Sequence, residues 1–175
     1  MRLGRLVAWA PLAVLLLLGV LFAGFGLRHD PHIYPAALVS KPLPAVSLPG
    51  LAGEPAQALP AAAQPARGPV LVNVFASWCA PCAEENPALL AMRAQGVRLV
   101  GVAYKDDPAA TRAFLARVGD PFERVLVDRD GRAGVELGVS GVPETFLVGR
   151  NGVILAKHAG PLSPADAEAL LEAAR

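Results

Sequence analysis

The sequence predicts an α/β domain with a central mixed sheet, helices on both faces, and one transmembrane helix in front of it. Three observations carry this. Beyond Pro69, strand-like apolar runs alternate with helix-like segments, the pattern of parallel strands joined by crossover helices. A glycine-bounded turn at 149–152 separates two late apolar runs, which adds antiparallel strands. Residues 6–27 (LVAWAPLAVLLLLGVLFAGFGL) carry no charge.

As a helix rising about 1.5 Å per residue, that run reaches roughly 33 Å, enough to cross a bilayer core. Pro11 lies in its first turns, where a membrane helix tolerates it. Arg2, Arg5 and the amino terminus precede the run, and Arg28 and Asp30 follow it, so the positive-inside bias puts the N-terminus in the cytoplasm. A cleaved signal peptide is the competing reading. Its apolar core is normally about 7–15 residues and ends at a small-residue cleavage site, and neither is clear here. The expected organisation is a cytoplasmic tip at 1–5, an anchor at 6–27, a linker at 28–40 and a folded domain at 41–175. The linker region holds Pro31 and Pro35, with Pro42 and Pro44 just beyond, and suits a semi-rigid spacer. The domain is then outside the cytoplasmic membrane. In a bacterium that is the periplasm, where disulfides form. A net charge of +1 gives no sign of a nucleic-acid partner.

The elements follow in order. Residues 51–69 are rich in Ala, Pro and Gly and read as a loop, with one short strand before it. Residues 70–76 (VLVNVFA) form a continuous apolar run, as expected of a central strand buried on both faces. Residues 80–95 are helical in composition and stop at Gly96. Residues 97–104 (VRLVGVAY) are a second buried strand. A helix at 108–118 starts on Pro108 with Asp107 as N-cap. A short strand at 125–127 closes in the turn Asp128–Gly131. Residues 145–148 and 153–157 form a hairpin. Ser163, Pro164 and Asp166 open a last helix with a capping serine, a proline at its first position and an early acid.

The chain has two cysteines, Cys79 and Cys82, in the stretch FASWCAPCAEENP. Cys79 ends the first central strand, and Cys82 lies in the first turn of the helix after it. Two thiols so placed can close a small ring. The free N–H groups and positive end of the helix stabilise a thiolate at Cys79, below the free value of about 8.5. Pro81 stiffens the link. This suits thiol–disulfide exchange, with an exposed Cys79 attacking and Cys82 resolving the mixed disulfide. Trp78 is either a flat wall beside the pair or a core aromatic. Other readings of the cysteines are a structural staple, which usually closes a longer loop, and a Cu(I) grip. A structural zinc site needs four N/S ligands, and the three histidines are scattered. No cofactor or resident metal is called for.

Three nearby features refine the site. Pro87 falls inside the helix and is expected to bend it. Asn73 lies on the strand beneath the site, where an amide cannot accept a proton as a carboxylate would. Glu84 and Glu85 follow Cys82 by two and three positions. One is expected to be a solvated first-turn acid and the other to turn toward the sulfurs. The second constellation is Gly141-Val142-Pro143-Glu144-Thr145-Phe146. Proline just before a strand is compatible with a cis Val142–Pro143 bond in a tight turn beside the sulfurs, where a partner's extended chain could pair. Glu144, between apolar Val142 and Phe146, is either an exposed loop acid or a partly buried carboxylate able to move protons.

The strand–WCAPC–helix unit with Pro87 and Pro143 resembles the thioredoxin-like family over about residues 41–175. Glu85-x-Pro87, Tyr104-Lys105-Asp106, GVSGVPETFLV (138–148) and His158-Ala159-Gly160-Pro161-Leu162 resemble its DsbE/CcmG group, the membrane-anchored reductants of cytochrome c maturation. The resemblance implies a thioredoxin-like fold and a redox disulfide between Cys79 and Cys82. It implies that Pro143 is the group's cis proline, with Glu144 and Glu85 as acids of the site. Trp78, Pro81, Val142 and Pro143 then face the substrate. The implied partners are apocytochrome c, or an intermediary thiol protein, and a transmembrane electron donor of the DsbD/CcdA type. Asn73 departs from general thioredoxins, which carry an acid there, and this shifts the expected proton handling to Glu85 and Glu144. A broader periplasmic reductase and a non-enzymatic holdase of apocytochrome or metal are the alternatives.

Overall fold

A computed structural model describes residues 38–174, together with 9, 11, 13–20 and 24. The chain divides into two units, Met1–Ile33 and Tyr34–Arg175. In the first, residues 13–20 are helical and their leucines are exposed. Among the described residues no helix is long and apolar enough to cross a membrane. The expected span at 6–27 is only partly covered by the described residues, and most of the linker at 28–40 lies outside them.

The second unit is built on a five-stranded mixed sheet. Its strands are β3 (Val70–Phe75), β4 (Leu99–Tyr104), β5 (Arg124–Asp128), β6 (Glu144–Val148) and β7 (Ile154–Ala159), in the order β5-β4-β3-β6-β7. The two pairings among β3, β4 and β5 are parallel, and β6 and β7 add antiparallel. The mixed sheet expected from the alternation and the late hairpin is present. Parallel neighbours need crossovers, which the helices Ala80–Ala94 (α2) and Pro108–Val118 (α3) provide. Asp107 caps α3 through Ala109 N, and Ser163 with Asp166 forms a full capping box on the last helix, Pro164–Ala173 (α5).

Three short elements were not foreseen. The stretch read as a loop contains a small hairpin strand and a helix: β1 (Ser47–Leu48) pairs β2 (Gln57–Ala58), and α1 (Leu59–Ala63) follows directly. Leu59, Ala62 and Ala63 are buried in α1, so small residues that look loop-like in composition pack against the sheet. A helix at Arg132–Glu136 (α4) hangs on Asp128, whose carboxylate accepts from Ala133 N and Gly134 N.

The pleat of β3 decides the layout of the site. Val70, Val72 and Val74 point to one core, with Val100, Val102 and Phe146. Leu71 points to the other, where α2 lays Leu89 and Met92 against it; each such side chain contributes about 1.5–3 kcal/mol by burial. Asn73 stands between Leu71 and Phe75, so it faces α2. Asn86 ties the far side of α2 to α3 by donating to Val118 O and Gly119 O.

Candidate redox site

Cys79 and Cys82 form a disulfide, with S–S 2.11 Å and Cα–Cα 5.3 Å. Cys79 is the N-cap of α2, and Cys82 N donates to Cys79 Sγ at 3.1 Å. The sequence placed the pair at this junction; the structure adds that the cap is the sulfur itself. The expected exposure of Cys79 is not observed. Cys79 is 5% exposed and Cys82 3%. The reason is the turn before β6. The Val142–Pro143 bond is cis, and Val142 O lies 3.5 Å from Cys79 Sγ. Val142 itself is half-buried and packs against the cysteine cluster. Pro143 is buried, while Pro81 is exposed. Trp78 is 60% exposed, with its indole N–H donating to Lys105 O at 3.3 Å. It is therefore not a core aromatic.

The two candidate acids separate onto opposite faces of the sheet. Thr145 lies opposite Asn73 in the β3–β6 register, on the α2 face, so Glu144, one residue earlier, points to the other face.

On the α2 face Glu85 is 1% exposed. Its Oε1 accepts from Asn73 Nδ2 at 2.9 Å, and its Oε2 from Leu162 N at 3.0 Å. Asn73 Nδ2 also donates to Thr145 Oγ1, while its Oδ1 is buried without a partner among the described residues. Burial pushes the Glu85 carboxyl above its ordinary value, and the Leu162 and Asn73 bonds only partly oppose that. Glu85 stands three residues after Cys82 on one helix, so both side chains lie on the same side of it. Glu84 is exposed, the solvated member of the pair.

On the opposite face Glu144 is 1% exposed. Its Oε1 accepts from Ser140 N at 3.0 Å and from Ser140 Oγ at 2.6 Å. Lys157 Nζ lies 2.8 Å from Oε2, as an ion pair rather than a directed hydrogen bond, and also donates to Gly138 O at 2.9 Å. Lys157 faces Phe146 in the β6–β7 register, which makes it the diagonal neighbour of Glu144 on the same side of the sheet. The exposed-loop reading of Glu144 is therefore wrong. It is a buried hub that ties residues 138–140 to the sheet.

Sequence reasoning missed Ser140 and Lys157, whose meeting with Glu144 needs the hairpin register. It also gave no individual role to Asp106, whose buried carboxylate accepts from Ser77 N and Ser77 Oγ. Among the described residues no cluster of three or more potential metal ligands is present.

The family described as Redoxin matches residues 38–171. The chain is 43% identical over 135 residues to a thiol:disulfide interchange protein DsbE from Escherichia coli (strain K12), covering 77% of this chain and 72% of that protein. It is 41% identical over 155 residues to the thiol:disulfide interchange protein HelX from Rhodobacter capsulatus, covering 87% of this chain and 86% of that one. The crystal structure of a putative thiol:disulfide interchange protein DsbE from Chlorobium tepidum superposes with a TM-score of 0.61 at 31% identity, covering 77% of this chain and 94% of that chain.

Proposed function

The chain belongs to the redoxin family and is a thiol:disulfide oxidoreductase of the DsbE type; from that premise we propose that it is a membrane-anchored periplasmic protein-disulfide reductase serving cytochrome c maturation. The observation that carries the exchange chemistry is the Cys79 sulfur at the N-terminus of α2, accepting from Cys82 N, with the Val142 carbonyl across from it. The uncharged run at 6–27 supports the anchor, and the DsbE likeness supports the pathway.

The reaction starts from the dithiol. The Cys79 thiolate attacks a substrate disulfide, forming a mixed disulfide and releasing one substrate thiolate. Cys82 loses its proton and attacks the Cys79 sulfur. The second substrate thiolate leaves, and the Cys79–Cys82 disulfide remains. Two electrons pass to the substrate, and both its thiolates take up protons. Glu85 is the group we assign to the Cys82 proton, since its desolvated carboxyl favours the protonated form and it lies on the same side of α2. Glu144 already carries Ser140 and Lys157, and its assigned part is to hold the turn that bears Val142 and Pro143. Trp78, Pro81 and Val142 are assigned the rim that meets the substrate; Pro143, expected to face the substrate, is buried, and its assigned part is to shape the cis turn that bears Val142. Apocytochrome c or an intermediary thiol protein is the proposed substrate, and a transmembrane donor of the DsbD/CcdA type is the proposed source of electrons.

Deletion of the protein should abolish covalent haem attachment in the parent organism, and an added external thiol should restore it. Normal c-type cytochromes after deletion would point to a broader reductase. A midpoint potential as oxidising as about −120 mV would point to a disulfide donor and overturn the reductase reading. Replacing Cys82 by Ser should accumulate the mixed disulfide and stop turnover, whereas a holdase would keep working.

A further inference from the structure

The turn that carries Cys79 has few ties of its own. The last pairing of β3 with β4 is Phe75 to Ala103, so Ser77 and Trp78 lie beyond the sheet. What holds them is the exit of β4. Asp106 is buried, and its two oxygens accept four donors. Oδ2 takes Ser77 N at 2.7 Å and Thr111 Oγ1 at 2.9 Å. Oδ1 takes Ser77 Oγ at 2.7 Å and Asp107 N at 2.9 Å. The carboxylate thus joins the redox turn to the first turn of α3. Its neighbour Lys105 has φ 46°, in the left-handed region. A non-glycine residue persists there when its surroundings over-determine it. Lys105 N donates to Asp128 O at 2.8 Å, and its carbonyl receives the Trp78 indole. The nearby charges are engaged elsewhere: Asp107 caps Ala109 N and pairs with Arg129, and the Lys105 ammonium sits over the Tyr104 ring.

We propose that Asp106 is a positioning residue of the redox centre: by clamping Ser77 it holds the Cys79 sulfur over the Cys82 N–H and so sets how readily Cys79 ionises. The inference deepens the exchange reading above and rests on it. Asp106 touches neither the sulfurs nor the substrate in this account; it acts through Ser77. Its geometry and its charge push Cys79 in opposite directions. A fixed cap bond favours the thiolate, and a nearby negative charge disfavours it. The sign of the change on neutralising Asp106 therefore separates the two effects.

The test titrates the ultraviolet thiolate absorbance of the reduced full-length protein as wild type, Asp106→Asn and Ser77→Ala. In Asp106→Asn the Cys79 pKa should rise by about one unit. At a pH below both pKa values that leaves about tenfold less thiolate and, because the more basic thiolate is also more nucleophilic, slows reaction with a small disulfide by about threefold. Ser77→Ala keeps the Ser77 N–H bond and should move the pKa in the same direction by less; it carries the test if Asp106→Asn does not fold. A Cys79 pKa that falls would show that Asp106 acts by charge alone. An unchanged pKa with lowered thermal stability would reduce it to a structural residue. Either result overturns the proposal. Failure of the exchange reading shows differently, as a wild type that does not reduce a disulfide at all while the titrations still differ.

Discussion

Replacing Lys157 by Met removes a buried charge partner while keeping an unbranched side chain of similar reach. In the structure Glu144 is 1% exposed, the Lys157 side chain is 9% exposed, and their charged atoms are 2.8 Å apart. Breaking such a pair from one side costs about 3–5 kcal/mol, because the remaining charge is left desolvated and unpaired. Here Ser140 still satisfies Oε1 through two bonds, so the loss belongs at the lower end, about 3 kcal/mol. The same ammonium also holds Gly138 O, which frees the start of the 138–143 turn as well. At about 4 °C per kcal/mol for a domain of this size, the melting temperature should fall by about 12 °C. Replacing both residues, Lys157→Met with Glu144→Gln, removes the orphaned charge, and most of the loss should be recovered, to within about 1 kcal/mol of wild type. The assay is urea unfolding of the oxidised wild type, both single variants and the double variant, read as a double-mutant cycle. A Lys157→Met variant losing under about 1 kcal/mol, or a double variant no more stable than Lys157→Met alone, would refute the view of Glu144 as a paired hub.

Other outcomes follow from the same geometry. The Glu85 carboxyl is raised in the folded state, so its contribution favours folding below the ordinary value of 4.5 and is lost as pH rises through the raised one. Glu85→Gln should therefore be more stable than wild type at neutral pH, with the gap closing in acid; a gap that widens toward low pH would contradict the assignment. In the dithiol, Glu85→Gln should also slow mixed-disulfide resolution, seen as a longer-lived adduct in rapid-quench experiments. A Cβ at Gly101 would lie 2.8 Å from Phe75 Cε1 and 3.0 Å from Phe122 Cδ2, between two rings stacked at 5.0 Å. Gly101→Ala should cost about 1–3 kcal/mol in a chemical melt, and a neutral result would mean that the rings separate freely.

Much of the site was legible because its chemistry is local. The Cys79–Cys82 spacing, the strand before it and the helix after it lie within one continuous stretch, and each follows from short-range periodicity and capping. The same is true of Asp107 and Ser163, whose caps act within a few residues. The fate of the two acids was not legible. Glu144 and Thr145 are adjacent in sequence, yet the pleat sends one to Lys157 and the other toward Asn73. Asn73 and Thr145 are 72 residues apart, and only the antiparallel register of β3 with β6 brings them together. The loop reading of 51–69 failed for a related reason. Leu59, Ala62 and Ala63 form α1 because the sheet offers them a surface, an effect that outweighs the weak local preference of an Ala- and Pro-rich stretch.

The amino-acid sequence by itself determined the redox pair, the order of the main strands and helices, and the uncharged run at 6–27, since these depend on neighbours within a turn or a strand. The tertiary structure alone decided that the sulfurs lie nearly flush beneath Val142, that Glu85 is desolvated while Glu144 is paired, and that Asp106 grips Ser77 from 29 residues away. The physical reason is that burial and pairing are properties of surfaces brought together by strand register and helix packing, and no local pattern encodes which distant partner a side chain will meet.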